Sequence, residues 1–264
     1  MHINVFDHYH RQITAVHRLD PRVKVVAVVA FIVSNALLPD GAWLAFAATA
    51  VLLWMAGRAA QLSAAFLLKR SLIVLPFLLA AVTVLFTLPG TAVATMQLGN
   101  WTLTISDAGL LRFVSILIRS WLSILAAIWL TATTPFPDLL HALRHLRVPQ
   151  ILVAIISFMY RYLFVLADEA LRLLRAREAR SARPLHSQGG GSIWWRAQVA
   201  GGMVGQLLLR SLERSDRVYN AMLARGYRGE LLTINPHQMK PRDWVVGVTA
   251  VALLLLIQAS AWLW

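Results

Sequence analysis

The sequence predicts an all-α integral membrane protein with about five transmembrane helices and a cytoplasmic domain of three helices. Composition gives the first indication, because 58% of the 264 residues are hydrophobic and only 14% are charged. Soluble domains average about 45–50% apolar and about 25% charged residues. Two further observations agree: long apolar segments alternate with charged ones, and Lys and Arg concentrate in alternate loops, as in membrane proteins.

Five segments approach or reach the length of about 17–25 apolar residues that a transmembrane helix needs. They are Val23–Leu38, Trp43–Gly57, Ser71–Pro89, Ala108–Thr131 and Trp244–Trp264. Lys24 lies near the start of the first segment, and we expect its long side chain to extend to the membrane interface. Gln97–Ser106 alternates polar and apolar residues, which predicts a short external strand or loop.

The loops between these segments predict the orientation in the membrane. Loops 39–42 and 90–107 contain no Lys or Arg, whereas the other early loops are cationic. The cationic loops hold Arg11, Arg18 and Arg22 before the first span and Arg58, Lys69 and Arg70 after the second. Because Lys and Arg concentrate on the cytoplasmic side, we predict a cytoplasmic N-terminus, with four spans within residues 1–131.

An Arg-rich block follows the fourth span. Ile151–Leu166 is apolar, but a crossing there would carry eleven arginines, from Arg172 to Arg228, to the outside. Such a crossing would violate the positive-inside pattern, so we predict that this block is cytoplasmic or dips into the inner leaflet. The predicted domains are a membrane domain 1–131, a cytoplasmic domain 132–230, and a linker with the final span at 231–264.

The cytoplasmic block reads as one short helix and two long ones. The short helix is Pro137–Leu146, and the long helices are Ile151–Arg183 and Ile193–Arg225. Gly226 occupies the position of a C-cap glycine. Because nine residues join the long helices, we expect them to cross or to run antiparallel. Acid-before-base pairs at i,i+4 spacing support exposed helix faces: Asp168 with Arg172, and Glu213 with Arg217.

No catalytic or metal-binding motif is evident in the sequence, so we predict that the chain is not an enzyme. Nucleotide-binding, zinc-protease and serine-hydrolase motifs are all absent, and the chain has no cysteine. His141 and His145 have the i,i+4 spacing of a metal pair, although the polar face of a helix explains them as well. An alternative is a membrane-anchored Arg-rich interaction module that binds nucleic acid or anionic lipid. Acids are interspersed with the arginines of the cytoplasmic block, which favours protein docking over that alternative.

Arg119 lies within the fourth apolar segment and is the intramembrane candidate for a functional residue. Charged residues inside membranes often mark functional sites. One interpretation makes Arg119 the substrate site of a self-sufficient secondary transporter. The alternatives are an internal ion pair and a contact with a partner subunit.

The two long helices end in similar triplets, in which small residues flank one arginine. These are Ala179-Arg180-Ser181 and Ala224-Arg225-Gly226. The helix macrodipole alone favours a cation at a C-terminus by about 0.3–1 kcal/mol. Arginine is also suited to docking in a partner's groove, because its planar guanidinium binds carboxylates with two parallel hydrogen bonds.

Three segments together resemble a known family. They are His17–Lys24 (HRLDPRVK), Phe136–Pro149 (FPDLLHALRHLRVP) and Tyr219–Gly229 (YNAMLARGYRG). In this order along the chain they resemble the transmembrane T component of energy-coupling factor (ECF) transporters, in particular the cobalt-type CbiQ proteins. The resemblance extends over nearly the whole chain.

This resemblance implies a non-catalytic coupling subunit in the bacterial plasma (inner) membrane, serving cobalt uptake for cobalamin synthesis or, in close relatives, nickel uptake. The implied partners are two cytoplasmic ABC-type ATPases, which bind the ATP and Mg, and a substrate-binding membrane subunit of CbiM type, which a small accessory membrane subunit can accompany. In the family, an arginine near the end of each long helix docks into an ATPase. Arg225 matches one docking arginine; Arg180 matches the other, with Arg177 and Arg183 as alternatives.

Overall fold

A computed structural model of the chain describes Gln12 and residues 14–98, 101–180, 192–229 and 239–263. By its internal contacts the chain divides into two units. The first consists of Met1–Leu146 with Asn235–Trp264, and the second of Arg147–Ile234. The all-α class predicted from the sequence is confirmed, since helices make up both units apart from turns, loops and one β-hairpin among the described residues.

The elements follow one another in a simple order. They are α1 (Pro21–Leu37), α2 (Trp43–Ala59), α3 (Ala64–Ser71), α4 (Leu75–Ala81), α5 (Val84–Thr87), β1 (Ala92–Leu98), β2 (Trp101–Ser106), α6 (Asp107–Thr133), α7 (Phe136–His145), α8 (Gln150–Arg180), α9 (Ile193–Ala224) and α10 (Pro241–Leu263). The last residues of the first predicted long helix, 181–183, lie outside the described residues.

Helix α1 lies at the centre of the first unit and packs against α6, α7 and α10. The largest core cluster joins three of these helices through Val28, Phe31, Leu122, Ala126 and Leu254. Large apolar side chains remain exposed on the outer faces, including Leu44 of α2 and Leu256 of α10. Because exposed apolar surfaces of this extent mark membrane contact, these faces fit a lipid environment.

Helices long and apolar enough to cross a membrane include α6, α8 and α10 among the described residues. Helices α1 and α2 have 17 residues each, close to the lower limit for a span. Helix α8 meets the criterion by length and composition alone, so its placement in the cytoplasm or inner leaflet stays a prediction.

The third predicted span is broken instead of continuous. It begins earlier than predicted, and the two parts, Ala64–Val74 and Leu79–Thr87, form an angle of 49°. A short 3₁₀ turn at Leu72–Val74 precedes Pro76. Proline has no amide hydrogen for the carbonyl four residues earlier and its ring clashes there, which explains the break at this position.

The alternating segment Gln97–Ser106 contributes to a β-hairpin, as its pattern predicted. Strands β1 and β2 pair antiparallel, from Ala92 opposite Ser106 to Leu98 opposite Trp101, with an irregularity between Ala92 and Ala94. Ser106 then begins α6, because its hydroxyl accepts a hydrogen bond from the Gly109 amide at 3.0 Å.

The second unit contains the two long helices, and the short helix α7 belongs by contacts to the first unit. Along α9 no residue is buried. The end of α9 has the predicted glycine cap: Gly226 has φ +81°. The Gly226 amide donates to the Leu223 carbonyl at 2.9 Å, and the Tyr227 amide donates to the Met222 carbonyl at 3.0 Å. These two bonds define a Schellman motif.

Candidate functional site

Arg225 is the residue that directly precedes this glycine cap. It has left the helical conformation, with φ −90° and ψ 7°, and it is exposed together with Ala224 and Gly226. Because the Schellman bonds turn the backbone immediately after it, Arg225 occupies the last position before the chain changes direction. The cap therefore fixes the place from which this guanidinium reaches outward.

Arg180 is the final residue of α8, and it and Ala179 are exposed. Ser181 lies outside the described residues. Of the two alternative docking residues, Arg177 is half-buried and Arg183 also falls outside the described part of the chain. Arg180 thus resembles Arg225 in its exposure and in its terminal position on a long helix.

An ion pair between α8 and α9 joins the two long helices. Arg210 of α9 donates a hydrogen bond to Oε1 of Glu169 on α8. Arg172, one turn along α8, lies 3.2 Å from Oε2 of the same carboxylate. The hydrogen bond from Arg210 is the main cause that holds the pKa of Glu169 below its ordinary value, with Arg172 adding to the effect.

Of the two acid-before-base pairs predicted from their spacing, one is confirmed and the other is wrong. Glu213 and Arg217 do form an ion pair, with 4.0 Å between the charged atoms. Arg172, however, pairs with Glu169 instead of the predicted Asp168. The carboxylate of Glu169 thus lies between Arg172 and Arg210, and its side chain is only 13% exposed.

Arg119 is engaged by the turn between α1 and α2. Its guanidinium donates to the Leu38 carbonyl at 2.7 Å and to Oδ1 of Asp40 at 3.0 Å. Arg112 lies 3.7 Å from the other Asp40 oxygen. The backbone carbonyl of Arg119 accepts a hydrogen bond from the amide of buried Asn35 at 2.8 Å. The arrangement holds this turn against α6.

Comparison with known proteins gives the family. A family model described as CbiQ, cobalt transport protein, matches residues 12–235 of the chain. The chain belongs to the CbiQ family. The resemblance carried by the HRLDPRVK, FPDLLHALRHLRVP and YNAMLARGYRG segments is thereby confirmed.

Three relatives show the range of this similarity. The cobalt transport protein CbiQ of Rhodobacter capsulatus is 31% identical over 184 residues, which cover 69% of this chain and 70% of the relative. The energy-coupling factor transporter transmembrane protein EcfT of Lacticaseibacillus paracasei is 29% identical over 92% of this chain and 94% of its own. The nickel permease LarQ of Lactiplantibacillus plantarum is 28% identical over 47% and 42%.

The HRLDPRVK segment of this CbiQ-family chain builds a buried polar cluster at the start of α1. Asp20 caps the helix by accepting a hydrogen bond from the Arg22 amide at 2.9 Å, and Pro21 occupies the first helical position. Lys24 is 3% exposed, and its ammonium donates to the carbonyls of His17 and Thr133, each at 3.2 Å.

The expectation that Lys24 extends to the interface is therefore wrong. Thr133 is the last residue of α6, so Lys24 places its charge at a helix C-terminus, where the macrodipole favours a cation. Asp20, Asp138 and Asp243 also attract this charge. The sequence analysis did not predict this cluster. The available signal was a lysine in an otherwise apolar segment, four residues after the Asp of an Asp-Pro helix start.

His141 and His145 lie next to each other on α7, with their rings tilted by 41°. Their ring centroids are 4.6 Å apart, and Nδ1 of His145 lies 3.0 Å from the His141 carbonyl oxygen. Among the described residues, no group of three or more His, Asp or Glu side chains is placed to hold a metal ion.

Proposed function

We propose that this chain is the membrane-embedded coupling subunit of an ATP-driven ECF-type uptake transporter for cobalt or nickel. In this role it transmits movements of two cytoplasmic ABC-type ATPases to a substrate-binding membrane subunit of CbiM type. ATP and Mg are bound by the ATPases, and this chain holds no cofactor of its own. The names of its relatives, a cobalt transport protein and a nickel permease, support these two substrates without separating them.

The observation that carries the proposal is the exposure and terminal position of Arg180 and Arg225, compared with three arginines along the long helices that ion pairs already engage. Arg172, Arg210 and Arg217 form ion pairs within the second unit. Arg180 and Arg225 are exposed at the helix ends, and the described residues offer neither of them an ionic partner within the chain. Exposed guanidinium groups with unused hydrogen-bonding capacity suit docking to carboxylates or carbonyls of another protein.

The same arrangement supports a mechanical role. Two long helices presenting one arginine each provide a separate contact for each ATPase. The pair between Arg210 and Glu169 connects the helices to each other, so a displacement of one end is passed to the partner helix. The cationic loops support a cytoplasmic N-terminus, and in this proposal the ends of the long helices and the ATPases lie on that same side of the membrane.

The test is metal uptake and ATPase co-purification by arginine variants in the assembled transporter, compared at equal membrane expression. We expect Arg225→Ala to abolish uptake, because truncating one member of a buried charged contact costs about 2–5 kcal/mol. Arg225→Lys should rescue only in part, since lysine keeps the charge but loses the planar fork. Arg180→Ala should resemble Arg225→Ala, and the double variant should lose both ATPases.

Arg228→Ala is the matched control, because Arg228 is an exposed arginine just beyond the cap. It should transport at the wild-type rate. If Arg225→Ala transports as well as the control, or if Arg225→Lys is fully active, the macrodipole explanation of these cations is sufficient and the docking role is refuted.

A further inference from the structure

A groove of about 370 Å³ lies between α2, α3 and α6 in the first unit. Its volume falls within the range of about 300–1,000 Å³ that is typical of ligand sites in proteins. The walls are aliphatic side chains and tryptophan rings, with the deepest contributions from Leu122 and Trp129 of α6. The indole nitrogen of Trp129 donates to the Ala56 carbonyl at 3.1 Å, so this ring presents its apolar surface to the groove.

The groove opens on the outer surface of the unit. Its rim residues Val51, Trp54 and Leu68 are 55%, 61% and 54% exposed. A wall of this composition offers dispersion contacts and almost no hydrogen bonds, so the part of a ligand that enters must be apolar. In a membrane-spanning unit the most abundant apolar ligand is a lipid acyl chain.

A cation lies at one end of the groove. The guanidinium of Arg58, in the last turn of α2, sits over the ring of Trp54 at 5.4 Å from its centroid. Because Trp54 is itself a groove wall, this cation–π contact holds a positive charge at the rim.

Two more cations lie on α3, which only four residues separate from the end of α2. Lys69 and Arg70 occupy the last turn of this helix. Arg70 follows the groove residue Leu67 by three positions, so the two are neighbours on the helix surface. All three cations thus lie within residues 58–70, around the connection between α2 and α3.

These three cations have no acidic counterpart. The sequence contains no Asp or Glu between Asp40 and Asp107. Within the described residues, Arg58, Lys69 and Arg70 take part in no ion pair; Arg70 lies over the ring of Phe66, at 5.1 Å. The apolar groove thus has Arg58 at its rim and two further cations on α3, one of its walls, on the predicted cytoplasmic side.

We propose that this groove binds an anionic phospholipid of the cytoplasmic leaflet. One acyl chain occupies the space between α2, α3 and α6, and the phosphate lies among Arg58, Lys69 and Arg70. Charge complementarity selects an anionic headgroup over a zwitterionic one, while the apolar walls account for the chain. The site is independent of the docking arginines at the ends of α8 and α9.

Native mass spectrometry of the purified full-length chain in detergent tests this site. The two probes are dioleoyl phosphatidylglycerol and dioleoyl phosphatidylcholine, titrated separately. We expect one phosphatidylglycerol to bind with at least about tenfold higher affinity than phosphatidylcholine. The reason is that each Lys or Arg near an anionic headgroup raises the affinity about fivefold. The triple variant Arg58→Gln, Lys69→Gln, Arg70→Gln should lose this preference.

The matched control is the triple variant Arg228→Gln, Lys240→Gln, Arg242→Gln. It removes the same residue types from exposed positions on the same predicted side of the membrane, none of which lines the groove, and it should keep the preference. Ala64→Phe, at an exposed wall position, should weaken phosphatidylglycerol binding by filling the groove while leaving all three cations in place.

Three results would overturn the proposal. The first is equal affinity of the wild type for both lipids, and the second is equal loss of preference in the two triple variants. The third is unchanged lipid binding by Ala64→Phe together with loss of the substrate-binding subunit on co-purification. That result would assign the groove to a protein contact instead of a lipid.

Discussion

Two pairs of cations, one pair in each unit of this CbiQ-family chain, have opposite surroundings. In the first unit, Lys24 and Arg119 point inward and bind backbone carbonyls and carboxylates of neighbouring elements. In the second unit, the arginines lie on the surface, and Arg180 and Arg225 stand at helix ends. The comparison shows that a cation within an apolar segment can hold a membrane fold together, while cations on exposed helices remain available to partners.

Physical reasons separate the two groups. A buried charge without partners costs several kcal/mol, so it must be paired and hydrogen-bonded. An exposed ion pair contributes about 0–1 kcal/mol, so an exposed arginine is free to change partners at little cost. Substitutions of Lys24 and Arg119 should therefore alter stability, whereas those of Arg180 and Arg225 should alter coupling with stability unchanged.

The largest effect is expected for Lys24→Met. The substitution removes two hydrogen bonds from a charged donor, each contributing about 1.5–3 kcal/mol, and leaves the His17 and Thr133 carbonyls without this partner. We expect a loss of roughly 3–5 kcal/mol in the free energy of unfolding. The measurement is the unfolding of the purified protein in detergent.

Lys69→Met is the matched control for this prediction. Lys69 is an exposed lysine in the same unit, so its substitution should leave the unfolding transition nearly unchanged. Equal stability of the Lys24→Met and Lys69→Met variants would contradict the structural role of Lys24, and with it the contrast between the two units.

The second effect is expected for Arg119→Ala, which removes the contacts to the Leu38 carbonyl and to Asp40. We expect a loss of about 1.5–3 kcal/mol in the free energy of unfolding, typical of hydrogen bonds from a charged group. Arg112→Ala is the control, since the side chain of Arg112 is 54% exposed and its charge lies 3.7 Å from Asp40. The Arg112→Ala substitution should lower the free energy of unfolding by less than about 1 kcal/mol.

Metal uptake at matched expression separates the two interpretations of Arg119. If Arg119 holds the α1–α2 turn, the surviving Arg119→Ala protein retains coupling to ATP hydrolysis, and its stability falls. Loss of all uptake with an unchanged unfolding transition would instead favour the substrate-site interpretation that the sequence leaves open.

Local features of the fold follow well from the sequence. Gly226 indicated the end of α9, and the alternation in Gln97–Ser106 indicated a strand, because cap glycines and alternating faces are properties of short segments. Pro76 carried the signal for the break in the third span. Hydropathy alone predicts a continuous span here, because Ser71–Pro89 is predominantly apolar.

Contacts between distant segments did not follow from the sequence. The partners of Arg119 lie 79 and 81 residues away in the chain, and Lys24 reaches a carbonyl 109 residues away. Likewise, Asp168 and Glu169 are both close enough to Arg172 for an intrahelical pair, and spacing alone does not choose between them. Such choices depend on tertiary packing, which spacing along one helix does not contain.

A third, smaller effect is expected for Glu169→Gln. Glutamine cannot hold the charge-assisted hydrogen bond to Arg210, so the contact between α8 and α9 should loosen while both helices stay folded. Spin labels on cysteines introduced at the exposed positions Ala176 and Ser215 report this change as a broader distance distribution. An unchanged distribution would show that Glu169 does not connect the helices.

The contact should also depend on pH in a defined direction. Because the pKa of Glu169 is lowered in the folded chain, its stabilising effect is complete above the ordinary glutamate pKa of about 4.3. It is lost as the pH falls below that value through the lowered pKa. Lowering the pH over this interval should broaden the wild-type distribution and leave that of Glu169→Gln unchanged.

The smallest effect is expected for Glu213→Gln, which removes a pair of the same chemical type at an exposed site. The side chains of Glu213 and Arg217 are 70% and 71% exposed, and their charged atoms are 4.0 Å apart. Both belong to α9, so the pair links one turn of a helix to the next and contributes about 0.3–0.5 kcal/mol. Helix content by circular dichroism and the distance distribution should both match the wild type. If Glu213→Gln broadened the distribution as much as Glu169→Gln, the total charge of the long helices would control their contact, instead of the particular pair that joins them.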